Sequence, residues 1–407
     1  MKLIGPFKQI VTLAGLPLRG KINDEQLEIL SDAGILTNNG KIKSVADYST
    51  LKKQNPTAEL EIIHGEKVVL PAYTDSHTHI CFGGSRAQDF AMRNAGKTYL
   101  EIAEKGGGIW SSVVDTREAS EECLVETLKT RIDYLVSLGI TTIEIKSGYG
   151  LNLESELKML RAIDKVKTFT KAVIVPTCLS AHTKPKDFEG DNQDYLNYIL
   201  EEILPVVKSE NLAKRVDIFI EKSAFQPDES RDFLLKAKTM GFELTVHADQ
   251  FTPGSSRIAV EVGAKSADHL EATANEDIEF LAQSDTVATV LPGASLGLGE
   301  PFAPTRKLLD AGAILAIASD WNPGSAPMGD LITQASVLAT FQKLSTAEIL
   351  AGITFRSAYA LGVEDVGILA VGKRADFVVY DTNDFRNILY YQGRLKPTQI
   401  YISAEKL

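Results

Sequence analysis

The sequence predicts an α/β protein: a (β/α)8 TIM barrel with a small discontinuous β-sandwich domain formed by both chain ends. Three observations carry this expectation. Eight strand-like runs alternate with helix-like stretches through the middle of the chain, the pattern of a closed parallel sheet. Both ends instead hold short β-like pieces between Gly, Asn and Asp turn signals. No linker, low-complexity tract or repeat interrupts the middle. The expected division is 1–67 for the N-terminal part of the β-sandwich domain, 68–362 for the barrel and 363–407 for the C-terminal part.

Taken in order, the first pieces are Gln9–Leu13, Gly34–Leu36, Ile42–Val45 and Leu60–Ile63, with Asn39-Gly40 as a hairpin signal between the second and third. The run Val68-Val69-Leu70 reads as the first buried barrel strand. Thr141–Ile145, Ala172–Thr177, Val216–Ile220, Phe242–His247, Ser266–His269, Thr286–Leu291 and Ile314–Ala318 supply the other seven. Leu124, Leu128, Ile132, Leu135 and Leu138 mark one face of a helix that ends at Gly139. At the C-terminus, Val366–Leu369, Phe377–Tyr380 and Gln399–Ile402 are again strand-sized.

Composition narrows the function. A hydrophobic content of 44% and a charged content of 24% are ordinary for a globular chain. The net charge of -11 argues against nucleic acid or an anionic membrane as partner. An anionic small molecule stays open if a local cation outweighs that field. Cys81, Cys123 and Cys178 are odd in number and widely spaced, which fits a reducing cytoplasm and not a disulfide framework. No signal peptide or membrane-length apolar run is read, so the chain is expected to be soluble and cytoplasmic.

The chemistry collects at the predicted strand ends. His77 and His79, in Asp75-Ser-His77-Thr-His79, leave the same face of an extended segment and can share one divalent metal. Gly83-Gly84 then turns the chain and delivers Arg86 close by. Five of the six histidines lie at or just beyond a strand end: His77, His79, His182, His247 and His269. Asp320 ends the eighth strand, in Ala318-Ser-Asp320-Trp-Asn322-Pro-Gly324-Ser325. Barrel active sites form at that rim, so this convergence points to a metal centre.

These residues resemble the amidohydrolase superfamily. Within it, His77-Thr-His79-Ile-Cys-Phe-Gly-Gly-Ser-Arg86, Gly96-Lys-Thr-Tyr99, Lys146-Ser-Gly-Tyr149-Gly, Ala181-His182, His247-Ala-Asp249, Ser266-Ala-Asp-His269 and Asp320-Trp-Asn322-Pro-Gly324-Ser325 resemble the imidazolonepropionase family along nearly the whole chain. The resemblance implies hydrolysis of the cyclic amide C–N bond of 4-imidazolone-5-propanoate to N-formimidoyl-L-glutamate, in histidine degradation. It also implies one Zn or Fe ion per chain on His77, His79, His247 and Asp320, and substrate contacts from Arg86, Tyr99, Tyr149, His182, Gln250, Asn322, Gly324 and Ser325. A homodimer is the expected assembly.

Elementary chemistry agrees with this expectation. An amide carbonyl is a poor electrophile, and a bound metal lowers the pKa of its water toward ~7 and supplies hydroxide. Asp320 and His269 are the candidate catalytic residues, one accepting the water's proton and the other polarising the carbonyl or stabilising the oxyanion. Arg86 offers a fork for the propionate. A sibling aminohydrolase acting on a base would need no such cation, and a non-enzymatic relative would lack ligands that are all present here. Lys222, after the fourth strand, is read as a solvated side chain and not as a carbamylated bridge between two metals. Gln250 departs from the Glu that many of the family carry at that position, so a proton-accepting role there is not expected.

Overall fold

A computed structural model describes residues 1–97, 101 and 105–407. The chain opens with β1 (Lys2–Val11), β2 (Ile29–Asn38), β3 (Lys41–Asp47), β4 (Glu59–Ile62) and β5 (Val68–Pro71). Eight strands follow: β6 (Tyr73–Asp75), β7 (Ile140–Lys146), β8 (Val173–Ala181), β9 (Arg215–Phe219), β10 (Glu243–Ala248), β11 (Ser266–His269), β12 (Val287–Val290) and β13 (Leu315–Ile317). The last strands are β14 (Phe377–Tyr380), β15 (Gln399–Ile402) and β16 (Glu405–Lys406).

β6 to β13 pair in parallel, in chain order, as a nearly closed barrel with helices between them. The helix Glu121–Ser137 shows how its neighbours form. Ser120 caps its first turn by accepting from Cys123 N, and Leu124, Leu128, Ile132 and Leu135 pack inward. It stops before Gly139, whose φ of 91° is open to glycine and strained for other residues. A Cβ there would stand 2.6 Å from Val378 Cγ1, so the glycine also permits the close approach of β14.

The two chain ends meet in one sheet of order β16-β15-β14-β5-β1-β2-β3, with β4 beside β1. It encloses a core of its own around Ile4, Phe7, Ile35, Val69, Phe377 and Tyr401. Asn39 and Gly40 join β2 to β3 with positive φ of 50° and 74°, as a tight hairpin requires. Two elements differ from expectation. Val68–Pro71 pairs with β1 and β14, not with the barrel, and the first barrel strand is Tyr73–Asp75. Pro71 has no N–H to donate, so one ladder ends there and another begins. Val366–Leu369 forms no strand, although Leu369 N donates to Thr12 O at 2.9 Å. Among the described residues no helix is long and apolar enough to cross a membrane.

β13 and β6 share no regular ladder. Their extensions are joined instead by Asp320 N to His77 O (3.1 Å), His79 N to Trp321 O (2.9 Å) and Ser319 N to Asp75 Oδ1 (3.0 Å). This seam lies at the C-terminal rim of the barrel.

Candidate metal centre and substrate cavity

Strand alternation puts His77 and His79 on one face just past β6, and His247 faces them from β10. His79 Nε2 lies 3.1 Å from His77 Nε2 and 3.2 Å from His247 Nε2. Asp320 Oδ1 is 3.6 Å from His77 Nε2 and 3.5 Å from His79 Nε2. His269, with Asp320 and His77, forms an overlapping group at the same place. All of these side chains are buried. His269 and Asp320 also hold φ of 89° and 53°, conformations that non-glycine residues adopt at a cost of roughly 1–3 kcal/mol.

The opposite ring edges are held from below. Asp268 Oδ2 is 2.7 Å from His77 Nδ1, and since a carboxylate only accepts, that nitrogen carries the proton. Asp217 Oδ2 is 3.0 Å from His247 Nδ1, close enough for an ion pair though not aligned as a hydrogen bond. Burial drives His77 and His79 well below the usual imidazole range. It pushes His247 down to about 4 against the pull of Asp217. The rings are therefore neutral, and their Nε2 atoms, each bearing a lone pair or a proton, converge on one point.

Those lone pairs decide whether a cation fits. A proton on His79 Nε2 satisfies one of its two close contacts and leaves the other facing lone pair to lone pair. Asp320 Oδ1 is buried and without a hydrogen-bond partner. A cation among the four atoms answers both problems. Zn–N bonds of 2.0–2.1 Å give tetrahedral edges of roughly 3.3 Å, close to the nitrogen spacing here. Three imidazoles and a carboxylate suit Zn or Fe better than Mg or Ca.

Above the histidines opens a cavity of about 590 Å³. Arg86, Tyr149, His182, Gln250, Asn322, Gly324 and Ser325 all line it, together with His79, His247, His269 and Asp320. Tyr99 lies outside the described residues. Arg86 Nε donates to Asp89 Oδ2 at 2.8 Å, which fixes the guanidinium plane. His182 Nδ1 is 3.0 Å from Gly148 O, which can only accept, so His182 Nε2 is an acceptor. Burial raises the Tyr149 phenol, which stays a donor. Asn322 is already engaged: its amide donates to Asp320 Oδ2 at 2.9 Å and its carbonyl accepts from Gly324 N and Ser325 N. Lys222 is exposed and does not line this cavity.

Residues 68–404 match the Amidohydrolase family as a whole. An imidazolonepropionase of Bdellovibrio bacteriovorus is 38% identical over 411 residues, covering 100% of this chain and 96% of the relative. One from Clostridium tetani is 36% identical over 388 residues, covering 95% and 93%. The chain belongs to the imidazolonepropionase family of amidohydrolases. The fold of this family member also matches a solved atrazine chlorohydrolase of Arthrobacter aurescens, described as complexed with zinc, at a TM-score of 0.73 and 18% identity over 100% of this chain and 95% of that one.

Several charged groups at the family site escaped the sequence reading. Burial acts to lower His269, but Glu271, then Asp320 and Asp268, outweigh it and leave the ring raised. Glu271 Oε2 stands 3.4 Å from His269 Nδ1. Burial pushes the Asp320 carboxyl up to about 7, against the pull of His269 and the Asn322 amide. Glu144, Lys146, Asp217 and Asp268 form a buried ionic layer beneath the histidines. Lys146 and Asp268 stand inside motifs of the family resemblance, whereas Glu144 and Asp217 are signalled only as a charged residue inside an otherwise apolar strand, in Ile143-Glu-Ile145 and Val216-Asp-Ile218.

Proposed function

We propose that this chain hydrolyses the cyclic amide C–N bond of 4-imidazolone-5-propanoate, giving N-formimidoyl-L-glutamate in histidine degradation. The observation that carries this is one cavity holding both the histidine–aspartate cluster and the Arg86 guanidinium. Hydrolysis needs the first, and an anionic side chain on the substrate needs the second. His77, His79, His247 and Asp320 would hold a single Zn or Fe ion. When bound, that ion makes water acidic near neutral pH and polarises the carbonyl.

The rest is done by the chain. Arg86 fixes the propionate, and the Tyr149 phenol and His182 Nε2 offer a donor and an acceptor to the ring. Asp320, aimed by the Asn322 amide, takes a proton as the water oxygen adds to the ring carbonyl carbon. His269, held by Glu271, donates toward the developing oxyanion. Collapse of the tetrahedral carbon breaks the C–N bond, and Asp320 returns the proton to the leaving nitrogen. Gln250 orients the ring, since an amide takes no proton at neutral pH.

The test adds freshly made 4-imidazolone-5-propanoate to metal-loaded protein and follows the products by NMR. Formation of N-formimidoylglutamate is expected. An unchanged substrate, or release of ammonia in place of ring opening, overturns the proposal.

A further inference from the structure

We infer that Lys146 is a positioning residue that sets the ring orientation and tautomer of His77 and His247 from beneath, acting through carboxylates. This rests on the proposed metal reading of those histidines. Lys146 ends β7 with a side chain that is 1% exposed, and it does not line the cavity, so it touches neither substrate nor the ligand atoms themselves. Its Nζ lies 2.7 Å from Glu144 Oε1, 2.8 Å from Asp217 Oδ2 and 3.9 Å from Asp268 Oδ2.

Each carboxylate then holds a different part of the histidine cage. Asp268 uses that same Oδ2 on His77 Nδ1 at 2.7 Å, and Asp217 uses that same Oδ2 against His247 Nδ1 at 3.0 Å. Glu144 Oε2 accepts from the N–H of Thr78, the residue between the two paired histidines, at 3.1 Å. One ammonium thus joins three strands, β7, β9 and β11, at the point where three anions would otherwise repel one another. A buried carboxylate stripped of its cation turns toward another donor or toward water. Asp268 then no longer accepts from His77 Nδ1–H, Asp217 no longer faces His247 Nδ1, and the Nε2 atoms lose their aim.

The decisive variant is Lys146→Met/Glu144→Gln, compared with Lys146→Met alone. The double substitution removes one charge of each sign, so the net charge beneath the histidines stays that of the wild type. The amide oxygen introduced at position 144 accepts the bond from Thr78 N without being ionised, and replacing both members of a buried pair is often tolerated by the fold. Zinc affinity of the full-length protein is read by competition with a chelator, and the histidine tautomers of the metal-free protein by 15N NMR. The expected result is a roughly ten- to a hundredfold loss of zinc affinity in both variants, with mixed tautomers at His77 and His247. Zinc affinity within twofold of wild type, with both rings still purely Nδ1–H, overturns the inference. If His77→Ala and His247→Ala bind zinc as the wild type does, the metal reading fails instead. The tautomer spectra of the double variant then still decide for or against Lys146.

Discussion

Replacing Arg86 with alanine should raise KM for the anionic substrate by roughly ten- to a hundredfold while the metal stays bound. The magnitude follows from how the side chain is held. Its Nε is committed to Asp89 Oδ2, an oxygen that also accepts from Gly108 N at 2.8 Å. Nη1 packs over Gly324, where a Cβ would stand 2.2 Å away. The fork is therefore oriented before substrate arrives, and little side-chain entropy is lost on binding. A hydrogen bond to a charged group contributes about 1.5–3 kcal/mol, and about 1.4 kcal/mol is a factor of ten. Removal of Arg86 also leaves the Asp89 carboxylate facing an anion, so part of the loss is repulsion. Arg86→Ala/Asp89→Asn should recover that part and leave the remainder. Steady-state kinetics and metal analysis on the same sample make the assay, with kcat falling less than KM rises. An unchanged KM would refute the reasoning and assign the carboxylate to Arg93 or Lys97, which line the same cavity.

Other outcomes are equally definite. His77→Ala and Asp320→Ala should each lose metal and turnover together, while Lys222→Ala keeps one equivalent per chain; two tightly bound equivalents lost with Lys222 would contradict this. Gln250→Ala should weaken binding more than chemistry, and Gln250→Glu should be tolerated with an altered acidic limb in the pH–rate profile. Loss of kcat at constant KM in Gln250→Ala would give that residue a different role. His182 yields a stability test in the metal-free protein. Burial pushes its ring down to about 4, against ~6.5 in an unfolded chain. Between those values the unfolded chain binds a proton that the folded ring does not, so stability falls as pH drops through that window, by roughly 3 kcal/mol in all. His182→Asn should reduce the slope there in denaturant titrations, leaving the part that His77, His79 and His247 contribute, and equal slopes would show that His182 is protonated in the fold.

The barrel was legible because its eight strands are buried on both sides and separated by amphipathic helices, a pattern carried by local sequence. The rim histidines were legible for the same reason: once a strand is placed, its C-terminal end is placed. Val68–Pro71 was misread because a strand in the end sheet and a strand in the barrel are both short apolar runs. Only the pairing partners, Gln9, Ile10 and Phe377 to Tyr380, distinguish them, and these lie far away in sequence. The ionic layer failed for a related reason. A lysine at position 146 is buried only because carboxylates at 144, 217 and 268 meet it, and no single stretch of chain contains all four.

The location of the centre explains why its residues tolerate unfavourable backbone. The first and eighth strands do not continue their ladder to each other, and the seam between them is closed by bonds from His77, His79 and Asp75 on one side to Ser319, Asp320 and Trp321 on the other. The proposed ligands His77 and His79 sit on one edge of that seam and Asp320 on the other. A cation shared among them would tie the barrel shut where the first and eighth strands lack a regular ladder. Ligation confined to the folded state stabilises it by about 4 kcal/mol when free metal exceeds its dissociation constant a thousandfold. That is enough to offset the positive φ of Asp320 and of His269 beside it, at roughly 1–3 kcal/mol each, over the lower half of the combined range. The same strand ends therefore close the barrel and aim the chemistry, and metal removal should loosen the seam before it disturbs the separate core of the end sheet.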